Sequence, residues 1–164
     1  MERFLISLLA LSFPVAAEYS FPVLERQCRQ ATAPEQKWLP AEWQKFSGFV
    51  RSCQILNNKG AHVVLLLSVS APMYYRSLPG RNADQVALPK SLLFLPDGSH
   101  CGELPYAFPD DPPVEMQVRF TIWRNDFPQR IEIAVKDPTA SGNRKLTQNW
   151  DPNRRRYRWS GGPI

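Results

Sequence analysis

Residues 114–135, VEMQVRFTIWRNDFPQRIEIAV, decide the fold class. Apolar side chains occupy every second position from Val114 to Ile122, and a second alternating run covers residues 131–135. This period of two is typical of strands that bury one face. The link between the runs, residues 125–129, is short and rich in turn formers, so the stretch predicts an antiparallel β-hairpin.

Three further hairpins are predicted from pairs of short apolar runs around turn signals. The pairs are residues 49–56 with 61–70, 91–95 with 100–104, and 146–150 with 154–159. Within the first pair, AHVVLLLSVS is apolar on consecutive residues, which predicts a strand buried on both faces. One short helix is expected near residues 34–46, with Trp38 and Trp43 covering an end of the sheet. The predicted fold is mainly β, an antiparallel β-sandwich or open barrel of about seven to nine short strands.

The first 17 residues have the features of a secretory signal peptide. Arg3 supplies a positive charge, an apolar run extends to Phe13, and small residues precede a cleavage site before Glu18. The run is shorter than the roughly 20 apolar residues of a transmembrane helix. We therefore expect residues 18–164 to form a single β-rich domain that is periplasmic or secreted, without a transmembrane segment after cleavage.

The three cysteines, Cys28, Cys53 and Cys101, all follow the predicted cleavage site. An exported chain meets an oxidising compartment, so one disulfide and one free thiol are expected. Sequence spacing does not choose among the three pairings. We take Cys28–Cys53 as the working hypothesis because these two are consecutive in the chain.

The formal net charge of +5 is unevenly distributed. Residues 97–115 contain acids but neither Lys nor Arg, whereas residues 141–164 contain several bases and a single acid, Asp151. Such asymmetry steers charged partners without determining the fold. Nucleic acid is not expected as a partner, because the chain is exported and its net charge is modest.

The most distinctive motif is RRRYRW at residues 154–159. On a strand, Arg154, Arg156 and Arg158 would share one face, and such a row of guanidinium groups suits an anionic glycan or lipid head group. The alternative is an edge strand that its charges protect from pairing with other chains, with Tyr157 and Trp159 packed inward. The sequence leaves both interpretations open.

Residue patterns give little support to catalysis or to a metal site. A nucleophile needs a base within reach, the two histidines His62 and His100 lie beside no recognisable nucleophile motif, and no G-x-S-x-G elbow is present. Two groups of possible metal ligands do not match known spacings, so no metal or cofactor is expected. They are Asp97, His100, Cys101 and Glu103, and the pair Asp110 and Asp111.

A hydrolase with paired carboxylates is retained as an alternative. Glu115 and Glu132 belong to the polar face of the central hairpin and would meet if they were opposite each other. Arg119 and Arg130 on the same face offer ion pairs instead, which is the more ordinary role of charges on a solvated sheet.

The remaining features favour a non-enzymatic binding protein. Trp123 lies on the polar side of its predicted strand, next to Arg124, and an exposed Trp beside an Arg is typical of an interface anchor. The first hypothesis is therefore recognition of another envelope or secreted protein, in an inhibitor, immunity-type or assembly role. The alternative partner is an anionic glycan or lipid head group bound by the basic C-terminal strand.

Overall fold

The computed structural model describes residues 21–69, 90–108, 114–138 and 142–161, which form two five-stranded antiparallel sheets. Sheet A has the order β1 (Phe21–Pro22), β7 (Glu115–Arg124), β8 (Phe127–Asp137), β9 (Gly142–Asp151) and β10 (Arg156–Trp159). Sheet B has the order β2 (Cys28–Gln30), β3 (Val50–Leu56), β4 (His62–Val69), β5 (Ser91–Phe94) and β6 (His100–Leu104). The mainly β prediction is confirmed, in its sandwich form. The predicted signal peptide, residues 1–17, lies outside the described residues.

The central hairpin is tighter than the sequence predicted. Strands β7 and β8 stay paired up to Arg124 and Phe127, so the turn has only two residues, Asn125 and Asp126. Both have positive φ, 50° and 59°, the conformation of a type I′ turn that matches the twist of the strands. The predicted link of residues 125–129 is therefore wrong in its second half, which belongs to β8. The three other predicted hairpins are confirmed.

The main core lies between the two sheets. The inward side chains of β8 are buried, and the alternating residues between them, such as Glu132, are exposed. Sheet B contributes alternate residues of β4 and β5 to the same core. The largest contributors are Ile55, Leu66, Leu93, Phe120, Ile131 and Ile133. Burial of these apolar side chains is the dominant favourable term that holds the sheets together.

Sheet B also buries its outer face, as the apolar run in β4 predicted. Leu65, Leu67 and Phe94 point away from sheet A into a second cluster. This cluster is covered by the helix α1 (Ala33–Gln36) and a 3₁₀ helix (Ala41–Phe49). We call these two elements and their link the helical layer. Its Trp38 and Trp43 pack over the outer face of the sheet, and Trp38 also lies against Gly98, in the turn at one end of that sheet.

A disulfide closes the part of the chain that carries the helical layer. Cys28 on β2 lies directly opposite Cys53 on β3, and the two are bonded, which confirms the hypothesised pairing. The bond closes a loop that contains the helical layer and stabilises the fold by about 3 kcal/mol in the chain-entropy model. Cys101 is the free cysteine and is buried. In the described ranges, no helix is long and apolar enough to cross a membrane.

Glu35 fixes the start of α1. Its carboxylate accepts two hydrogen bonds from Arg29, at 2.7 and 2.8 Å, and one from the backbone N–H of Thr32 at 2.7 Å. Burial by itself would raise the pKa of Glu35, but the hydrogen bonds from Arg29 and Thr32 outweigh it and hold the pKa below its usual range. The buried carboxylate is therefore ionised and paired.

Acid should weaken the attachment of the helical layer through Glu35. Because its pKa is lower in the folded state, its contribution is present above the unfolded pKa and is lost as pH falls through the folded pKa. We expect Glu35→Gln to lower the urea midpoint near neutral pH and to change it much less at about pH 2. The control is Glu42→Gln, an exposed position of the same layer. An equal loss at both pH values would contradict a role for the ionised carboxylate.

Two glycines with the same backbone conformation should differ in their tolerance of alanine. Gly98 and Gly60 have φ of +83° and +80°, but a Cβ on Gly98 would lie 2.6 Å from Nε1 of Trp38, whereas one on Gly60 would meet nothing within 4 Å. We expect Gly60→Ala to cost about 1 kcal/mol through its φ alone, and Gly98→Ala to cost about 1 kcal/mol or more beyond that through overpacking. Equilibrium unfolding measures both, and equal costs would show that the contact with Trp38 is immaterial.

Candidate functional site

Four hairpin turns gather at one end of the sandwich. They comprise residues 57–61 and 95–99 of sheet B and residues 125–126 and 152–155 of sheet A. We call this end the tip. Two ion pairs join the turns of the two sheets across it, Lys59 with Asp126, and Arg155 with Asp97 at 3.0 Å. The spacing between the sheets at the tip is thus held from both sides.

Between these turns the core opens into a cleft of about 620 Å³, which we call the tip cleft. This volume is in the range of pockets that bind small ligands. Its more buried wall is apolar, and its more exposed rim is polar and charged. The wall contains Val63, Leu95, Phe127 and Trp150, and the rim contains His62, Asp97, Arg124 and Arg155.

An aromatic cluster supports the cleft from inside. The ring centroids of Phe127 and Trp150 are 4.7 Å apart, and that of Tyr157 lies 5.0 Å from Trp150. Tyr157 is buried, and its hydroxyl donates a hydrogen bond to the carbonyl oxygen of Pro128 at 2.8 Å. Because each ring packs against another, the apolar wall is preformed and needs little ordering when a ligand binds.

The carboxylate at the rim, Asp97, already forms hydrogen bonds and an ion pair. Hydrogen bonds from Ser99, followed by the guanidinium of Arg155, lower the pKa of Asp97 to about 2. Asp97 is therefore a carboxylate at any physiological pH and is unsuited to act as a general acid. Its role is to hold Arg155 and the turn of residues 152–155 against sheet B.

Among the residues predicted for binding, Arg124 lies at the rim of the tip cleft and Trp123 does not line it. Trp123 is partly buried, packs against the main core, and donates its indole N–H to the carbonyl oxygen of Phe120 at 3.2 Å. The prediction that it is exposed is wrong. The reason is the φ of +54° at Ile122, which interrupts the extended backbone just before Trp123 and ends the regular alternation of faces.

The predicted row of arginines is divided by the structure. Arg156 and Arg158 lie on the exposed face of β10, with Tyr157 buried on the other. Arg154 belongs to the turn that precedes the strand, so its placement on the strand is wrong. Asp151 lies 3.5 Å from Arg158 and 4.0 Å from Arg154, which reduces the charge that both present to solvent. Since β10 is the edge of sheet A, these charges also discourage pairing with another chain.

Sequence reasoning missed Phe127, Trp150 and Arg155 as site residues. The sequence pattern places Phe127 in the predicted link because residues 125–129 are rich in turn formers. Asn125 and Asp126 tolerate positive φ and predict a two-residue turn by themselves, which would have placed Phe127 on the inward face of a strand. Nothing in the sequence indicates that Trp150 and Arg155 approach sheet B, because that contact joins distant parts of the chain.

The carboxylate pair of the hydrolase alternative is not formed. Glu115 is opposite Lys136, at 3.4 Å, and Glu132 is opposite Arg119. The two acids are separated by several residues along the hairpin, about 13 Å at the rise of a strand, which is too far for a shared catalytic water or nucleophile. The other predicted oxygen ligands, Asp110 and Asp111, lie outside the described residues.

The described part of the chain contains no group of side chains suited to binding a metal ion or to thiol catalysis. No three His, Cys, Asp or Glu side chains come together there in a way that would hold a metal ion. Cys101 is fully buried, and burial, followed by the charge of Asp97, raises its pKa to about 12. A thiol with that pKa is protonated at physiological pH and is a poor nucleophile.

Cys101 should therefore resist alkylation in the folded protein. We expect no modification by iodoacetamide at about pH 8 under native conditions and complete modification in denaturant, because unfolding exposes the thiol and restores an ordinary pKa. Mass spectrometry of the intact, unreduced chain measures the reaction, and Cys101→Ala serves as the blank. Rapid labelling of the native protein would contradict the buried position.

Comparisons with models of protein families, with curated proteins and with solved structures found no match.

Proposed function

We propose that this chain is an exported, non-enzymatic binding protein that recognises another envelope or secreted protein through its tip. The observation that carries the proposal is the tip cleft itself, a preformed apolar opening between two sheets with Phe127 and Trp150 in its wall and Arg124 at its rim. Aromatic side chains and arginine are the residues that contribute most to protein interfaces.

Export is supported by two independent features. Residues 1–17 have the pattern of a secretory signal peptide, and Cys28 and Cys53 form a disulfide, a bond that persists mainly in oxidising compartments. The partner is accordingly expected in the envelope or among secreted proteins.

The chemistry of the cleft favours binding over catalysis. Its rim carboxylate, Asp97, is held by Ser99 and Arg155, and the shielded thiol of Cys101 is buried in the main core. A site for acid–base catalysis needs a titrating group that is free to exchange protons with the substrate. Neither of these groups meets that requirement. In the described parts of the chain, the rim histidine, His62, forms no hydrogen bond with a carboxylate or hydroxyl that would make it part of a catalytic set.

A second candidate is an anionic glycan or lipid head group bound on the outer face of β10. The observation in its favour is that Arg156 and Arg158 are both exposed on that face. It ranks second because Asp151 lies within ion-pair distance of Arg158, and because binding by exposed charges alone is weakened strongly by salt.

The test is retention of partners from the envelope and secreted fractions of the producing organism on immobilised protein. The whole sequence is expressed with export, so that the disulfide forms. We expect one protein to be retained at both low and moderate salt by the wild type, and its recovery to fall at least about fivefold with Arg124→Glu. Quantitative mass spectrometry of the eluates measures this.

The matched control is Lys145→Glu, which makes the same change of charge at an exposed position of β9 away from the tip. It should retain the partner at the wild-type level. Equal loss with both variants, or retention only of polyanions that disappears as salt rises, would overturn the proposal, and the second outcome would favour the face of β10.

A further inference from the structure

The tip cleft lies at an end of the sandwich where the hairpin turns are all described. All four turns around it are described, whereas the described chain breaks off at Val69, Phe108 and Pro138 at the opposite end of the sandwich. The strand directions explain this, because β4 begins at the tip with His62 and ends away from it. The residues named above for the wall and rim of the cleft are all described.

The apolar wall of the cleft offers contacts to a large apolar side chain of a partner. Val63, Leu95, Phe127 and Trp150 line the cleft, and the buried ring of Tyr157 packs against Trp150 from inside. A Leu, Phe or Trp side chain of a partner would exchange water for these contacts, which is the usual source of affinity at the centre of an interface.

The charge around the opening is positive and partly uncompensated. Lys59 is neutralised by Asp126, and Arg155 by Asp97. Within the described residues, no hydrogen bond or ion pair involves the guanidinium of Arg124, although it is exposed at the rim.

The neighbouring turn adds to this positive charge. Arg154 and Arg158 share the single carboxylate of Asp151, and Arg156 is exposed beside them. An incoming segment with carboxylates on either side of its apolar anchor would meet complementary charge, which speeds its approach and fixes its orientation.

From this combination we infer the chemistry of the partner, an inference that rests on the proposed function. The tip cleft binds a linear acidic segment of a protein, which inserts one Leu, Phe or Trp side chain against Phe127 and Trp150 and places a flanking Asp or Glu beside Arg124. The apolar contact supplies affinity, and the arginines select acidic over basic segments.

The experiment selects ligands from random peptides, without assuming their sequence. A displayed library of random linear peptides is selected against the wild type, Arg124→Glu and Lys145→Glu, all immobilised with the disulfide intact. We expect the wild type and the Lys145→Glu control to enrich peptides with an apolar residue flanked by Asp or Glu. Arg124→Glu should lose that acidic preference, because its rim then carries a negative charge.

The consensus peptide is then synthesised and titrated into isotope-labelled protein. We expect the peptide to shift the NMR signals of Arg124, Phe127 and the indole N–H of Trp150. Replacing the apolar residue of the peptide by Ala should weaken binding about tenfold. The Arg124→Glu protein should bind the original peptide at least about fivefold more weakly than the wild type. A peptide with Lys in place of every acid should not bind. Enrichment of basic peptides, no enrichment, or shifts confined to other residues would each overturn the inference.

Three other occupants are distinguished by the same spectra. The inference would be overturned if anionic phospholipid vesicles or dextran sulfate shifted the cleft signals and the consensus peptide did not. It would also be overturned if the free protein self-associated in a way that buries the cleft. If a protein is still retained through Arg124 from the organism's fractions while the library shows no acidic preference, only the inferred chemistry fails and the proposed function stands. If both experiments fail, the proposed function fails with it.

Discussion

Burial of both faces of β4 is the constraint on which the rest of the structure depends. A strand with Leu65 and Leu67 on one side and Val64 and Leu66 on the other cannot leave either face in water without a large cost. Sheet A covers the inner face, and the helical layer covers the outer face. The Cys28–Cys53 disulfide and the pairing of Arg29 with Glu35 hold that layer in place, and the fold is thus built from three layers.

The same arrangement produces the tip cleft. Two sheets that pack through their middles leave an opening wherever their ends diverge, and here the four turns end at the same level. Ion pairs between Lys59 and Asp126 and between Asp97 and Arg155 span that opening. Phe127 and Trp150 thus pack against other core side chains and are still accessible from solvent through the cleft. This combination is typical of side chains that bind partners.

The distribution of charge has a second consequence. Arg156 and Arg158 protect the edge of sheet A from pairing with another chain, and they also give the outer face of β10 a positive charge. One set of side chains can serve both purposes because edge protection requires only that the charges are exposed. This charge is one of the observations from which we propose an acidic partner for the tip cleft.

The local features of the fold were readable from the sequence. Alternation in residues 114–122 and 131–135 identified the central hairpin, consecutive apolar residues identified the doubly buried strand, and Asn, Asp and Gly marked the turns. These patterns are local because a strand's periodicity depends only on which of its two faces is buried. The residues of a signal peptide are equally local, and the interpretation of residues 1–17 remains a prediction.

The candidate site was decided by tertiary structure. Alternation failed at Trp123 because a single positive φ at Ile122 interrupts the extended backbone, and periodicity carries no information on φ. The hydrolase pair failed because register places Lys136 opposite Glu115, and register depends on the turn. The tip cleft joins Val63 to Trp150 and Asp97 to Arg155, residues far apart in sequence, and only the packing of one sheet on the other brings them together. Sequence by itself determined which segments become strands and what charge they carry, whereas the packing of the sheets determined which of those side chains meet.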